Sequence, residues 1–100
     1  MGQFIRSLPI QMKAKVIGDL HLLEEYGNLA REPLSKHLED GIFELRSKTG
    51  TEIVRILYFF EEKRIIIATN GFVKKQQKTP KFEIELAKRR RKDYRSRKGI

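Results

Sequence analysis

Four lysines crowd one stretch of the chain, Phe72-Val73-Lys74-Lys75-Gln76-Gln77-Lys78-Thr79-Pro80-Lys81. Ammonium groups offer point charges to phosphates. Thr79-Pro80 reads as a helix start, whose free N–H groups and positive dipole end also favour anions. A solvated basic turn has the same composition, so the stretch gains weight only from its neighbours. Arg55 stands in an otherwise apolar run from Glu52 to Phe60. A permanent charge there either pairs with an acid, such as Glu44 of the preceding run, or lines a surface that binds an anion. Arg46 closes Phe43-Glu44-Leu45-Arg46; if the two runs pair, Arg46 and Arg55 share a sheet face with the Lys74–Lys78 loop. Convergent cations suit phosphoryl chemistry, which rests on positioning and charge stabilisation. With no metal set and no His pair, cleavage has to use RNA's own 2′-hydroxyl, which asks for a base, an acid and cations. Tyr58 and Tyr94 are either proton donors and stacking surfaces or core residues, Tyr58 more readily the latter. His37, in Ser35-Lys36-His37-Leu38, is either an acid/base or an exposed loop residue, and His21 an edge residue of the first long helix. The carboxylates show no hydrolase pairing, and the sequence holds no Gly-rich phosphate loop and no Ser/His/Asp set.

Composition narrows the classes. At 100 residues the chain makes one domain, and 39% apolar residues suffice for one core. The absence of Cys removes disulfides, thiolate metal sites and cysteine nucleophiles, and two His make a zinc-hydrolase set unexpected. No cofactor is expected. Runs such as Leu57–Phe60 and Ile65–Ala68 are far too short to span a bilayer. The first residues carry no signal-peptide core, so a cytoplasmic location is expected. Residues 1–70 hold ten Lys/Arg and ten Asp/Glu, whereas residues 71–100 hold twelve and three, so the whole surplus of +9 lies in the last thirty. Such a patch points to a polyanionic partner, nucleic acid first and an acidic protein second.

The elements that position these groups follow from period and punctuation. Ser7 as cap and Pro9 in the first turn start a helix. Its stripe of Ala14, Val16, Ile17, Leu20 and Leu23 runs on to Tyr26, with Lys13, Lys15, Asp19, Glu24 and Glu25 outside it. Gly27-Asn28 ends this helix, and Gly18 in its middle suggests close packing. Phe4 and Ile5 belong to a separate short helix. Residues 28–40 read as a connector. Three strands follow, Gly41–Arg46, Glu52–Phe60 and Arg64–Thr69, joined by a turn at Thr49-Gly50 and a tight link at Glu61-Glu62-Lys63. The middle strand, apolar on both faces, is central. Asn70-Gly71 interrupts the third, which resumes at Phe72-Val73 after a bulge or bend. Thr79 caps a last helix that starts at Pro80; its short apolar face docks only two or three turns. The residues from Lys88 to Lys98 then form a projecting basic tail, with 95–100 frayed. The expected fold is α+β: N-terminal helices packed on a small three-stranded antiparallel meander, then a basic C-terminal helix.

Several blocks resemble a known family. Lys36-His37-Leu38-Glu39-Asp40-Gly41-Ile42-Phe43-Glu44-Leu45-Arg46, Arg55-Ile56-Leu57-Tyr58-Phe59, Gly71-Phe72-Val73-Lys74-Lys75, Lys78-Thr79-Pro80 and Glu83-Ile84-Glu85-Leu86-Ala87 are similar, in this order, to the RelE/ParE toxin superfamily in its HigB-like, phage-derived branch. The likeness covers roughly residues 4–94 of one domain spanning 1–100. It implies a type II toxin, an endoribonuclease that cleaves mRNA on the ribosome and is neutralised by a helix-turn-helix antitoxin, with no membrane and no small-molecule cofactor involved. By position it makes Arg55 the strand arginine at the scissile phosphate, sets Lys74 and Lys75 near a second cationic position, and runs Arg46 along the sheet edge. Lys78 and Lys81 would grip RNA, joined by Lys36, His37, Arg89 and Arg90. Where many relatives carry a His this chain has Asn70, and where some use a strand lysine it has Glu44, so no general base carries over. Relatives also begin with a further strand, and without it the sheet keeps an unpaired edge next to its first helix. The other readings are a ParE-like toxin that poisons DNA gyrase and a non-enzymatic nucleic-acid-binding accessory protein.

Overall fold

The computed structural model describes residues 1–61 and 65–98. The expected link at Glu61-Glu62-Lys63, the strand start at Arg64 and the last two residues of the expected frayed end fall wholly or partly outside them. A short helix α1 (Gly2–Arg6) precedes α2 (Ile10–Tyr26), and a 3₁₀ turn at Gly27–Leu29 follows. Next come β1 (Ser35–Glu39), β2 (Ile42–Thr49), β3 (Glu52–Phe60) and β4 (Ile66–Val73), then α3 (Lys81–Lys98). The sheet is antiparallel in the order β1-β2-β3-β4, so the expected α+β architecture holds with one strand more.

That strand is β1, inside the segment read as a connector. Asp40 (φ 51°) and Gly41 (φ 74°) form the two-residue link to β2. A primed turn needs positive φ at both central residues, which is why Asp-Gly is a strong hairpin signal. The polar Ser35-Lys36-His37 run masks it, because β1 is an edge strand with one buried residue, Ser35, and Lys36 and His37 exposed.

β3 is central, and its two faces explain its unbroken apolar run. Val54, Ile56 and Tyr58 pack with Leu8, Met12, Val16, Leu23 and Leu45 under α1 and α2. Leu57 and Phe59 pack with Ile42 and Ala87 under α3. The α2 stripe has a different phase from the one expected. Its buried residues are Met12, Val16, Asp19 and Leu23, while Ala14 and Ile17 are exposed. Ser47 on β2 draws Asp19 inward: its hydroxyl donates to the Asp19 carboxylate at 2.8 Å, and Lys15 pairs with the other oxygen at 3.1 Å.

The start of α2 also differs. Pro9 is its N-cap, and the Ser7 hydroxyl donates back to the Phe4 carbonyl at 2.6 Å, closing α1. Gly18 marks no close packing, since a Cβ there would meet open space. The close approach is at Gly71, where a Cβ would meet the Phe4 ring at 2.7 Å and Ile56 at 2.8 Å. β4 runs unbroken across Asn70-Gly71 with a bulge that leaves Thr69 without a ladder partner.

α3 is docked along most of its length. Ile84 and Ala87 are buried, Tyr94 meets Phe59 edge-on, and Lys88, Arg91 and Lys98 pair with Glu39, Asp40 and Glu61. The basic tail therefore lies against the sheet instead of projecting, and it is helical through Lys98.

Candidate nucleic-acid interface

β1 covers only the first half of β2. Pairing runs from Glu39–Ile42 to Ser35–Leu45, and the last bond goes from the Arg46 N–H to the Leu34 carbonyl at 3.0 Å. Beyond it Ser47–Thr49 have no strand on that side, and a cleft of about 770 Å³ wraps this free edge. α2 contributes Lys15 and Asp19, β1 contributes Lys36, and β2 contributes Arg46 and Lys48. β3 contributes Ile53 and Arg55, and the loop after β4 contributes Lys74 and Gln77. The Lys74 N–H extends the ladder by donating to the Ile53 carbonyl at 2.7 Å, which fixes where its side chain starts.

The cations lining the cleft fall into two groups, paired and unpaired, with Lys15, bound to Asp19, in the first. Arg46 and Arg55 face each other in the β2–β3 register, a repulsive placement unless an anion intervenes. Glu44, fully buried, is that anion. Its carboxylate accepts from Arg46 Nε at 3.0 Å and from Arg55 Nη1 at 3.2 Å, and Thr79 Oγ1 donates to it as well. Arg55, 2% exposed, also donates to Thr79 Oγ1 at 2.8 Å and to the Gln77 carbonyl at 3.0 Å. Of the two roles left open for Arg55, pairing with Glu44 is the one the structure shows. Thr79 turns inward to this pair instead of capping α3. The result is a polar clamp that holds the 74–80 loop on the sheet. The second group is free. Lys36, Lys48 and Lys74 make no ion pair among the described residues.

The other expected residues are distributed around this centre. Lys36, His37, Arg46, Arg55 and Lys78 share a smaller adjoining pocket of about 220 Å³. The His37 Nε2 accepts the Gly41 N–H at 3.2 Å, so that nitrogen is occupied by the hairpin turn. Lys75 lies outside the cleft, beside Phe72 and Phe82. Lys81 is exposed on the first turn of α3. Arg89 and Arg90 are farther along α3, where Arg90 donates to the Thr69 carbonyl at 2.7 Å, on the bulge. Tyr58 is a core residue whose hydroxyl bonds Ser35, and burial pushes its pKa up. Glu39 is held below the usual carboxylate range by the hydrogen bond and charge of Lys88, whose own pKa rises in return. Asn70 donates to the Glu83 carbonyl and carboxylate and ties β4 to α3.

Sequence reasoning missed Lys15, Asp19 and Lys48 as cleft residues. Lys48 was accessible to it, because every second residue after Glu44 returns to one sheet face. The α2 pair was not, because its phase depends on Ser47. Chemically, the cleft can bind a chain of phosphates and stabilise charge on one of them. Among the described residues no three His, Asp or Glu side chains gather as a metal-ligand set, and no helix is long and apolar enough to cross a membrane.

None of the curated proteins compared with the chain matches it. A family model, described as phage derived protein Gp49-like (DUF891), matches residues 3–92. It spans both helical layers, the whole sheet and every cation of the cleft, and so the chain belongs to this Gp49-like, phage-derived family of RelE-like toxins.

Proposed function

We propose that the chain is the toxin of a type II toxin–antitoxin system, an endoribonuclease that cleaves mRNA on the ribosome. A cognate helix-turn-helix antitoxin would neutralise it. The observation that carries the reading is the cleft at the free edge of β2, where Lys36, Lys48 and Lys74 have no acid partner among the described residues and Arg46 stands beside them. Those cations would grip successive phosphates and stabilise the charge that develops as the 2′-hydroxyl attacks the adjacent phosphorus. The attacking oxygen loses its proton, the 5′-oxygen leaves and takes one up, and a 2′,3′-cyclic phosphate remains. No metal is called for. Arg55 acts as a positioning residue: it fixes Glu44, Thr79 and the loop that carries Lys74.

The test is to map mRNA 5′ ends after induction in cells, for the wild type and for Lys48→Ala/Lys74→Ala. Discrete new ends within translated codons are expected for the wild type, and relief of growth arrest for the folded double variant. Intact mRNA with DNA-damage signalling would replace this reading by gyrase poisoning. Undiminished arrest in the folded double variant would remove the cleft from the mechanism.

A further inference from the structure

Beyond the Lys74–Lys78 loop a second pocket of about 520 Å³ opens between the end of β4 and the start of α3, within the usual range of about 300–1,000 Å³ for ligand sites. Phe72, Val73, Pro80 and Phe82 supply its apolar walls, with Lys75 and Gln76 beside them. Phe82 is 69% exposed, on a helix whose docking is done by Ile84 and Ala87, so the core does not need this ring. Glu83, the acid of the pocket, is engaged by Asn70, whereas Lys75 makes no ion pair among the described residues. A smaller pocket connects this site to the cleft: it shares Lys74 and Gln77 with the cleft and Lys75 and Gln76 with the Phe82 pocket. Cations spaced along a path that ends at a bare aromatic ring complement one kind of polymer, with a phosphate on each unit and a flat base attached.

We infer that Phe82 is a stacking platform for one unpaired base of a single-stranded RNA, whose backbone follows Lys75 and Lys74 into the cleft. This deepens the reading proposed above and rests on it. Every base has a π-face, so the platform takes purines and pyrimidines alike and holds the strand without reading its sequence. A purely apolar peptide would gain nothing from the adjacent lysines.

The test compares wild type and Phe82→Ala against two probes, a short labelled oligoadenylate and inorganic polyphosphate. The variant should bind oligoadenylate about five- to a hundredfold more weakly, with polyphosphate affinity and salt dependence unchanged. The chain has no Trp, so Phe82→Trp adds a unique reporter whose emission should be quenched by oligoadenylate and not by polyphosphate. Equal oligoadenylate affinity in wild type and Phe82→Ala, or unchanged emission, overturns the platform. An equal loss of both probes also overturns it. If oligoadenylate binding survives Phe82→Ala and falls in Lys48→Ala/Lys74→Ala, the platform fails and the cleft stands. If the wild type binds no oligoadenylate, both fail together. A protein segment as the true occupant would leave every RNA titration insensitive to Phe82→Ala.

Discussion

Glu44 and Arg55 stabilise the fold only as long as both are present. Each is out of water: removing Glu44 strands the Arg55 charge, whereas removing Arg55 takes away one of the two cations on the buried Glu44 carboxylate and leaves it with Arg46. Arg55→Ala should therefore lower stability, by less than the about 3–5 kcal/mol that a wholly uncompensated buried charge costs, read from urea unfolding, and replacing Glu44 and Arg55 together by leucine should recover part of that loss. An Arg55→Ala protein that unfolds like the wild type would show that the clamp is not structural. Loss of toxicity in that variant reports on the fold first, which makes exposed Lys48 the cleaner probe of the cleft. Tyr58 gives a pH signature. Its folded pKa is raised above the ordinary tyrosine value of about 10, so its contribution is complete below the unfolded pKa and is lost as pH rises through the folded one. Wild-type stability should fall above about pH 10. In Tyr58→Phe the decline should be shallower, from a neutral-pH value lowered by about 1–3 kcal/mol because Ser35 loses its partner. Parallel alkaline curves for the two proteins would refute this.

Among the elements, glycines discriminate between two kinds of helix and strand position. Gly18 has open space around its missing Cβ, so Gly18→Ala should stabilise by about 0.5–1 kcal/mol through helix propensity alone. Gly71 lies under the Phe4 ring, and Gly71→Ala should cost about 1–3 kcal/mol as α1 is pushed off the sheet. Urea midpoints of the two variants check both signs, and a shift in the same direction would contradict the packing described. The end of α2 at Gly27, the central role of β3 and the turn at Thr49-Gly50 follow from sequence period and punctuation, because burial on one stripe or two faces is what those patterns encode. The phase of α2 does not. A carboxylate at Asp19 looks like a solvent residue until Ser47, far along the chain, supplies its buried partner. β1 was hidden for the opposite reason: an edge strand buries too little to look apolar, although Asp40-Gly41 announces the hairpin.

For the molecule as a whole, net charge overstates the number of free cations. Much of the +9 surplus lies on α3, where Lys88, Arg91 and Lys98 meet acids of the β1–β2 turn and of the end of β3. The cleft draws Lys36 and Lys48 from the electrically balanced part of the chain. Affinity for single-stranded RNA should therefore fall with salt at a slope of about 0.7 per phosphate held. Lys48→Ala should reduce that slope by one such step, whereas Arg97→Ala, which removes a partner of Asp93, should leave it unchanged. Equal effects of the two substitutions would place the binding surface on α3 instead. The sequence by itself determined the α+β class, the helix and strand periods, the family likeness and the place of the charge surplus along the chain, since these depend on local pattern and composition. Only the tertiary structure decided which cations are free. An ion pair needs two side chains brought together by the fold: the register of β2 against β3 gives Arg55 to Glu44, and Lys36, Lys48 and Lys74 have no ion pair among the described residues.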